Sequence, residues 1–259
     1  MSQSLLDRHD HEGVATLTLS RPDAYNSLSL ELMQALHAEL DAIADDINVR
    51  CVVVRGAGKG FCAGHDLKQM LSEGEEAYYR CTFETCSQLM QRIVSLPVPV
   101  IAQVHGVATA AGCQLVASAD LAIAADTARF ATPGVNIGLF CSTPMVALSR
   151  AVQPKHAMEL LLTGDLINAQ RACDMGLINQ QVPAAELEQA VATLAAKIAS
   201  KSRHTLQIGK QAFYRQRELP LAEAYAVCSE VMVENMQTAD AQEGIDAFIG
   251  KRTPQWRHR

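Results

Sequence analysis

The chain has 259 residues, 49% of them hydrophobic, with 22 lysines and arginines against 28 aspartates and glutamates and a formal net charge of −6. This is enough length and apolar content for one substantial core. The acidic balance, with no dense Lys/Arg block, argues against nucleic acid or an anionic membrane as the principal partner. No apolar run approaches the roughly 20 residues that span a bilayer.

The eight cysteines, at 51, 62, 81, 86, 113, 141, 173 and 228, show no paired CxxC spacing and sit mostly in apolar or tight-turn contexts. They are expected to be free thiols rather than disulfides or metal ligands. The N-terminus carries Asp7, Asp10 and Glu12 and lacks both an apolar signal core and an Arg-rich amphipathic character, which predicts a cytosolic location.

Along the chain, Val14-Ala15-Thr16-Leu17-Thr18-Leu19 alternates with period two and ends at Arg21-Pro22, a strand entering a loop. Leu32, Leu36, Leu40 and Ile43, with Met33, form a helical stripe over 29–46, with Ser29 as the N-cap. Arg50 to Arg55 is a short apolar run closed by Gly56, Gly58 and Gly60. Strand, long crossover and strand predict a parallel α/β fold. Residues 72–80 read as a polar loop and 79–96 as a helix stopped by Pro97 and Pro99. Residues 98–104 then read as a strand, 115–125 as an apolar stretch containing Asp120, and 130–133 as a short extended segment. Helices are expected at 154–162, 168–175, 184–200, 203–216, 221–236 and 240–249, the last opened by a capping box, Asp240-Ala241-Gln242-Glu243. The shift towards helix near residue 180, without a Gly/Ser linker, predicts an α/β core over 1–180 and a helical region over 181–259 that does not fold independently.

Two segments concentrate small residues after strand-like runs: Phe61-Cys62-Ala63-Gly64-His65-Asp66-Leu67 and Val104-His105-Gly106-Val107-Ala108-Thr109-Ala110-Ala111-Gly112-Cys113-Gln114. Backbone can approach a ligand closely at such positions, which suggests a reaction centre made of peptide N–H groups. With Leu19-Ser20-Arg21-Pro22 and Asn26, Pro99 to Gly106, Ala119 to Ala124, Leu162 to Asp165 and Ala172 to Ile178, these segments resemble the crotonase superfamily, the enoyl-CoA hydratase/isomerase family. The resemblance covers essentially the whole length.

That resemblance implies a ClpP/crotonase-type spiral of ββα units with a helical C-terminal region. It also implies an acyl-CoA thioester held between the backbone amides of His65 and Ala111, with a helix starting near Gly112 adding its positive end. Ala63, Gly64, Asp66, Leu67, Lys68 and Gly112 are then the expected CoA-pocket residues, and Lys59, Lys251 and Arg252 further candidates for its phosphates. CoA enters as part of the substrate, with no separate cofactor or metal. The expected assembly is a homotrimer or a dimer of trimers packed through C-terminal helices.

The chain departs from the family in its proton-transfer groups. The two glutamates of the hydratases correspond here to Gln114 and Gly134, neither of which takes a proton at neutral pH. The turn Gly138-Leu139-Phe140-Cys141-Ser142-Thr143-Pro144, where the isomerases place a single acid, has no carboxylate. Gln114, Cys141 and Ser142 are candidate supporting groups, while Ser142 or Thr143 equally suits an N-cap. His65 offers an imidazole for proton transfer or a pocket wall, His105 a structural role, Asp66 an anchor for the oxyanion loop and Asp120 an anchor for the core. The expected function is an enzyme of acyl-CoA thioesters that is not an efficient two-glutamate hydratase. Isomerisation, thioester hydrolysis, decarboxylation and a non-catalytic acyl-CoA-binding role remain as alternatives.

Overall fold

Two strands open the fold as a hairpin, β1 (Leu6–His11) and β2 (Val14–Leu19), in a computed structural model that describes residues 4–258. The period-two reading holds for β2, which buries Ala15, Leu17 and Leu19. Sequence reading missed β1 because it is an edge strand whose charged, largely exposed residues hide the alternation.

Helix α1 (Leu30–Asp45) buries the predicted stripe, and the Ser29 hydroxyl accepts from Leu32 N at 3.3 Å as its cap. Then come β3 (Cys51–Gly56), α2 (Leu67–Glu73) and α3 (Glu76–Ser95). Most of the loop expected at 72–80 is thus helical. Its polar residues face solvent, and the break is confined to Gly74, in left-handed conformation at φ 63°, and Glu75.

The chain continues through β4 (Val100–Val104), β5 (Val107–Thr109), α4 (Ala111–Ser118), β6 (Leu121–Ala125) and β7 (Arg129–Ala131). The apolar stretch 115–125 is two elements, the end of α4 and β6, parted at Ala119-Asp120. Next are α5 (Ser142–Ala151), α6 (Pro154–Thr163), β8 (Ile167–Asn168), α7 (Ala169–Met175) and β9 (Gln180–Val182). Helices α8 (Leu187–Ala199), α9 (Arg203–Gln216), α10 (Leu221–Met236) and α11 (Ala239–Ile249) complete the fold.

The large sheet has the order β1-β2-β3-β4-β6-β9 and is parallel from β2 onward, while β5, β7 and β8 form a second sheet. After β4 the chain adds β5 to the small sheet and returns through α4 to β6, then β7 follows β6 in the same way. This is the ββα spiral. Both faces of the large sheet are covered, which explains its continuous apolar strands. Cys51, Val53, Ile101 and Ile123 meet Leu187, Val191 and Ala195 of α8, while Val52, Val54 and Ala102 belong to the main core with α1, α3 and α4.

Asp120 anchors the core as expected. Its carboxylate accepts from Val100 N (2.7 Å), Lys210 Nζ (2.7 Å) and Tyr214 OH (3.0 Å), tying α9 to the strand ends, and Lys210 also donates to the Ile93 and Val98 carbonyls. The predicted capping box is corrected. Thr238 caps α11 by accepting from Ala241 N, whereas buried Asp240 accepts from Ser202 Oγ and the Arg257 and His258 amides. The helix starts one residue earlier than read and its cap lies two residues earlier, leaving Asp240 free to hold the C-terminal tail.

Candidate active site

Two loops meet in register. Cys62 N donates to Val107 O at 3.1 Å, Thr109 N to Cys62 O at 3.0 Å, and the Thr109 hydroxyl to Ala63 O at 3.0 Å. The pairing sets Gly64-His65 beside Ala110-Ala111. A Cβ on Gly64, at φ +99°, would lie 2.8 Å from Ala110 Cβ and 3.3 Å from Ala111 N, and one on Gly112 would overlap Cys62 O. Glycine at both positions is required by this approach of backbone to backbone.

The same framework leaves both candidate amides outside the backbone pairing, although Ala111 itself is fully buried. Leu28 N donates to Gly64 O (2.7 Å) and Asp66 N to Leu28 O (3.0 Å), a parallel bridge that directs the His65 N–H away from Leu28. Ala111 is the first residue of α4, where N–H groups lack intrahelical acceptors. Among the described residues, neither amide donates to a backbone carbonyl in the loop contacts. Ala110 before it holds φ 50° and ψ −117°, a conformation that costs an L-residue about 1–3 kcal/mol. It is pinned by Ala110 N to Ala131 O at 2.9 Å and Gln114 N to Ala110 O at 3.0 Å.

Behind the His65 loop lies a polar support whose roles the sequence did not disclose. Asp66 Oδ1 accepts from Lys68 N and Gln69 N, capping α2, while Oδ2 accepts from Arg21 Nη2 at 2.7 Å. Burial pushes the Asp66 carboxyl up, but Arg21 and the helix amides outweigh this and hold it below the usual range. Fully buried Asn26 donates to Ala57 O and Gly60 O, both at 2.8 Å, and accepts from Arg21 N at 2.9 Å. The motif containing Arg21 and Asn26 was visible in the sequence, but their partners lie up to 45 residues away.

The groups expected to handle protons are placed differently. The His65 imidazole packs edge-on against Phe83 of α3, ring centroids 5.3 Å apart, with Nε2 shielded and without a partner among the described residues. Burial pulls its pKa down to about 4, so it is neutral at pH 7. Gln114 is buried, and its Oε1 accepts from the Cys86 thiol at 3.7 Å. At Gly134 a Cβ would come within 2.5 Å of Leu139 O and 2.9 Å of Cys141 Sγ, so the backbone and a thiol fill the space of a side chain there. Burial pushes the Cys141 thiol up, and Cys62, Cys86 and Cys113 up to about 12, which makes them poor nucleophiles at neutral pH.

Neither Ser142 nor Thr143 caps α5. The N-cap is Cys141, with no side-chain cap bond, and Ser142 Oγ reaches only Phe140 O at 3.4 Å. His105 Nε2 meets Gly58 O at 3.0 Å, a structural contact. Leu67 and Lys68 project from the start of α2, and Lys59 and Lys251 are exposed. Arg252 is corrected as a phosphate candidate because its guanidinium is taken up by Glu243 and Asp246, at 2.5 to 2.8 Å. A cavity of about 920 Å³ begins at Gln114, one helical turn past Ala111, and runs along α4 between α3, α5 and α9.

The Enoyl-CoA hydratase/isomerase family pattern matches residues 9–259. Enoyl-CoA hydratase domain-containing protein 3, mitochondrial, from Xenopus laevis is 48% identical over 95% of this chain and 84% of its own length. The human protein of the same name is 47% identical over 95% and 82%. The crystal structure of an enoyl-CoA hydratase from Mycobacterium smegmatis superposes with a TM-score of 0.96 at 48% identity, covering 98% of this chain and 99% of that one. The cytosolic expectation is corrected by these relatives, since both vertebrate proteins are named mitochondrial. Charge and hydropathy near the N-terminus do not decide the compartment.

Proposed function

This chain belongs to the enoyl-CoA hydratase/isomerase family, and from that membership we propose that it is an enzyme of acyl-CoA thioesters whose oxyanion or enolate is stabilised by the His65 and Ala111 amides. The observation that supports the reading is the stapled pair of loops, in which a Cβ on Gly64 would lie 3.3 Å from Ala111 N and neither amide donates within the backbone pairing.

Charge that develops on the thioester oxygen meets dipoles already fixed in place, so no reorganisation is needed as the reaction proceeds. Ala111 N–H adds the positive end of α4. The CoA arm would run past Ala63, Gly64, Asp66 and Gly112, with Leu67 and Lys68 at its exposed side. Proton transfer does not follow the two-glutamate route, because Gln114 is an amide and Gly134 has neither a side chain nor space for one. Isomerisation, thioester hydrolysis and decarboxylation each use the same oxyanion site with another proton or water path.

Assembly as a homotrimer or a dimer of trimers is part of the proposal. It is supported by apolar side chains exposed on the C-terminal helices, among them Leu221, Tyr225, Met232, Val233, Phe248 and Ile249. The filled space at Gly134 also favours a second reading, an acyl-CoA-binding protein without turnover.

Incubating an acyl-CoA library with the protein and with Ala111→Pro, followed by mass spectrometry and calorimetry, tests both. Proline at the first helical position removes the amide donor, and circular dichroism checks that the variant still folds, because Ala110 before it holds φ 50° and ψ −117°. Turnover lost in the variant supports the enzyme, and binding without turnover supports the second reading. Failure of the unaltered protein to bind any acyl-CoA overturns both.

A further inference from the structure

Gln114 is 4% exposed and has half of its amide spoken for. A thiol donates, so the Cys86 Sγ contact at 3.7 Å turns Oε1 towards α3. The Nε2 group is left with no acceptor among the described residues, and the side chain lines the cavity. Nε2 is not among the shielded unpartnered side-chain atoms, so it opens to the cavity, where water or a ligand supplies its acceptor.

The position of that donor relative to the Ala111 amide is set by the helix. Three residues advance about 4.5 Å along the axis, and helical side chains lean back towards the N-terminus. A thioester oxygen held at Ala111 N, which is not itself in the cavity lining, would lie within one helical turn of the Gln114 amide at the cavity's edge. Beyond it the cavity walls are mainly apolar, with Met90, Val94, Val116, Val146, Leu177 and Phe213. A volume of about 920 Å³ is ample for an acyl chain.

We infer that Gln114 is a specificity-determining donor and that the site selects acyl-CoA thioesters with an acceptor oxygen on the third acyl carbon, as in a 3-oxoacyl or a 2-carboxyacyl thioester. The inference rests on the acyl-CoA reading above and deepens it. Gln114 binds and orients, since an amide neither takes nor gives up a proton at neutral pH. Cys86 is a positioning residue that keeps the donor end of the amide towards the ligand. The wall carries recognition where a carboxylate would carry proton transfer.

Calorimetry with butanoyl-CoA, 3-oxobutanoyl-CoA and malonyl-CoA tests this on the unaltered protein, Gln114→Met and Cys86→Ala, each checked for an intact fold by circular dichroism. At least one oxygen-bearing thioester is expected to bind about tenfold tighter than butanoyl-CoA. Which of the two does so identifies the source of the oxygen. The ratio should fall to near one in Gln114→Met and partway in Cys86→Ala, where the amide is free to turn over. Equal or tighter binding of butanoyl-CoA by the unaltered protein overturns the inference even if Gln114→Met fails to fold, and so does a ratio unchanged in a folded Gln114→Met. If no CoA thioester binds at all, the acyl-CoA reading itself has failed, an outcome distinct from binding without discrimination.

Discussion

The loops carrying His65 and Ala111 are built differently from the positions of Gln114 on α4 and of Gly134 and Cys141 before α5. The loops are held together by Cys62 N to Val107 O, Thr109 N to Cys62 O and Leu28 N to Gly64 O, with Arg21, Asn26 and Asp66 behind them. On the wall the chemistry has been withdrawn: an amide stands at 114, no side chain at 134 and a buried thiol in its space. Under the proposed function, oxyanion stabilisation and proton transfer are separable properties of one fold. A chain can keep the fixed dipoles while the acid and base are absent, because the dipoles are held by backbone geometry and the acid and base by single side chains.

The strongest attack on the contrast is Gly112→Ala. The added methyl would overlap Cys62 O and push the two loops apart, at a cost of about 3 kcal/mol, read as a lower urea midpoint with acyl-CoA affinity lost alongside. An unchanged midpoint would mean that the loops are not the rigid half of the site. Gly134→Glu probes the other half. Restoring a carboxylate there drives its Cβ against Leu139 O and Cys141 Sγ, so a destabilisation of about 1–3 kcal/mol is expected, with no gain of crotonyl-CoA hydration in a spectrophotometric assay. Gain of a normal hydratase rate would show that the wall lacks only a side chain and not the space for one.

The buried His65 imidazole makes stability depend on pH. Its pKa falls from 6.5 in an unperturbed histidine to about 4 in the folded protein. Between these values the unfolded chain binds a proton that the folded protein refuses, so stability falls as pH drops from about 6.5 towards 4 and is unaffected by this group above that window. Urea midpoints across that range should fall less steeply for His65→Leu than for the unaltered protein. Parallel curves would show that the imidazole titrates in solvent. Least of all, Arg252→Ala should leave acyl-CoA affinity unchanged in calorimetry, because Glu243 and Asp246 already occupy its guanidinium. A clear loss of affinity would move it back among the phosphate ligands.

By itself the sequence determined the elements whose apolar residues repeat with a clear period: β2, α1, β3, most of α3, β4 and the C-terminal helices. It also located the two amide-bearing loops, since small residues after a strand are a local pattern. Tertiary structure alone decided the rest. It made β1 a strand by pairing it with β2, divided 115–125 at Asp120, and moved the α11 cap from Asp240 to Thr238. It also joined Arg21 to Asp66, Cys86 to Gln114 and Lys210 to Asp120, over separations of 45, 28 and 90 residues. Periodicity and turn chemistry act over a few residues and so are written locally. The partner of a buried polar group is whichever group the packed chain brings within about 3 Å, and that distance exists only after folding.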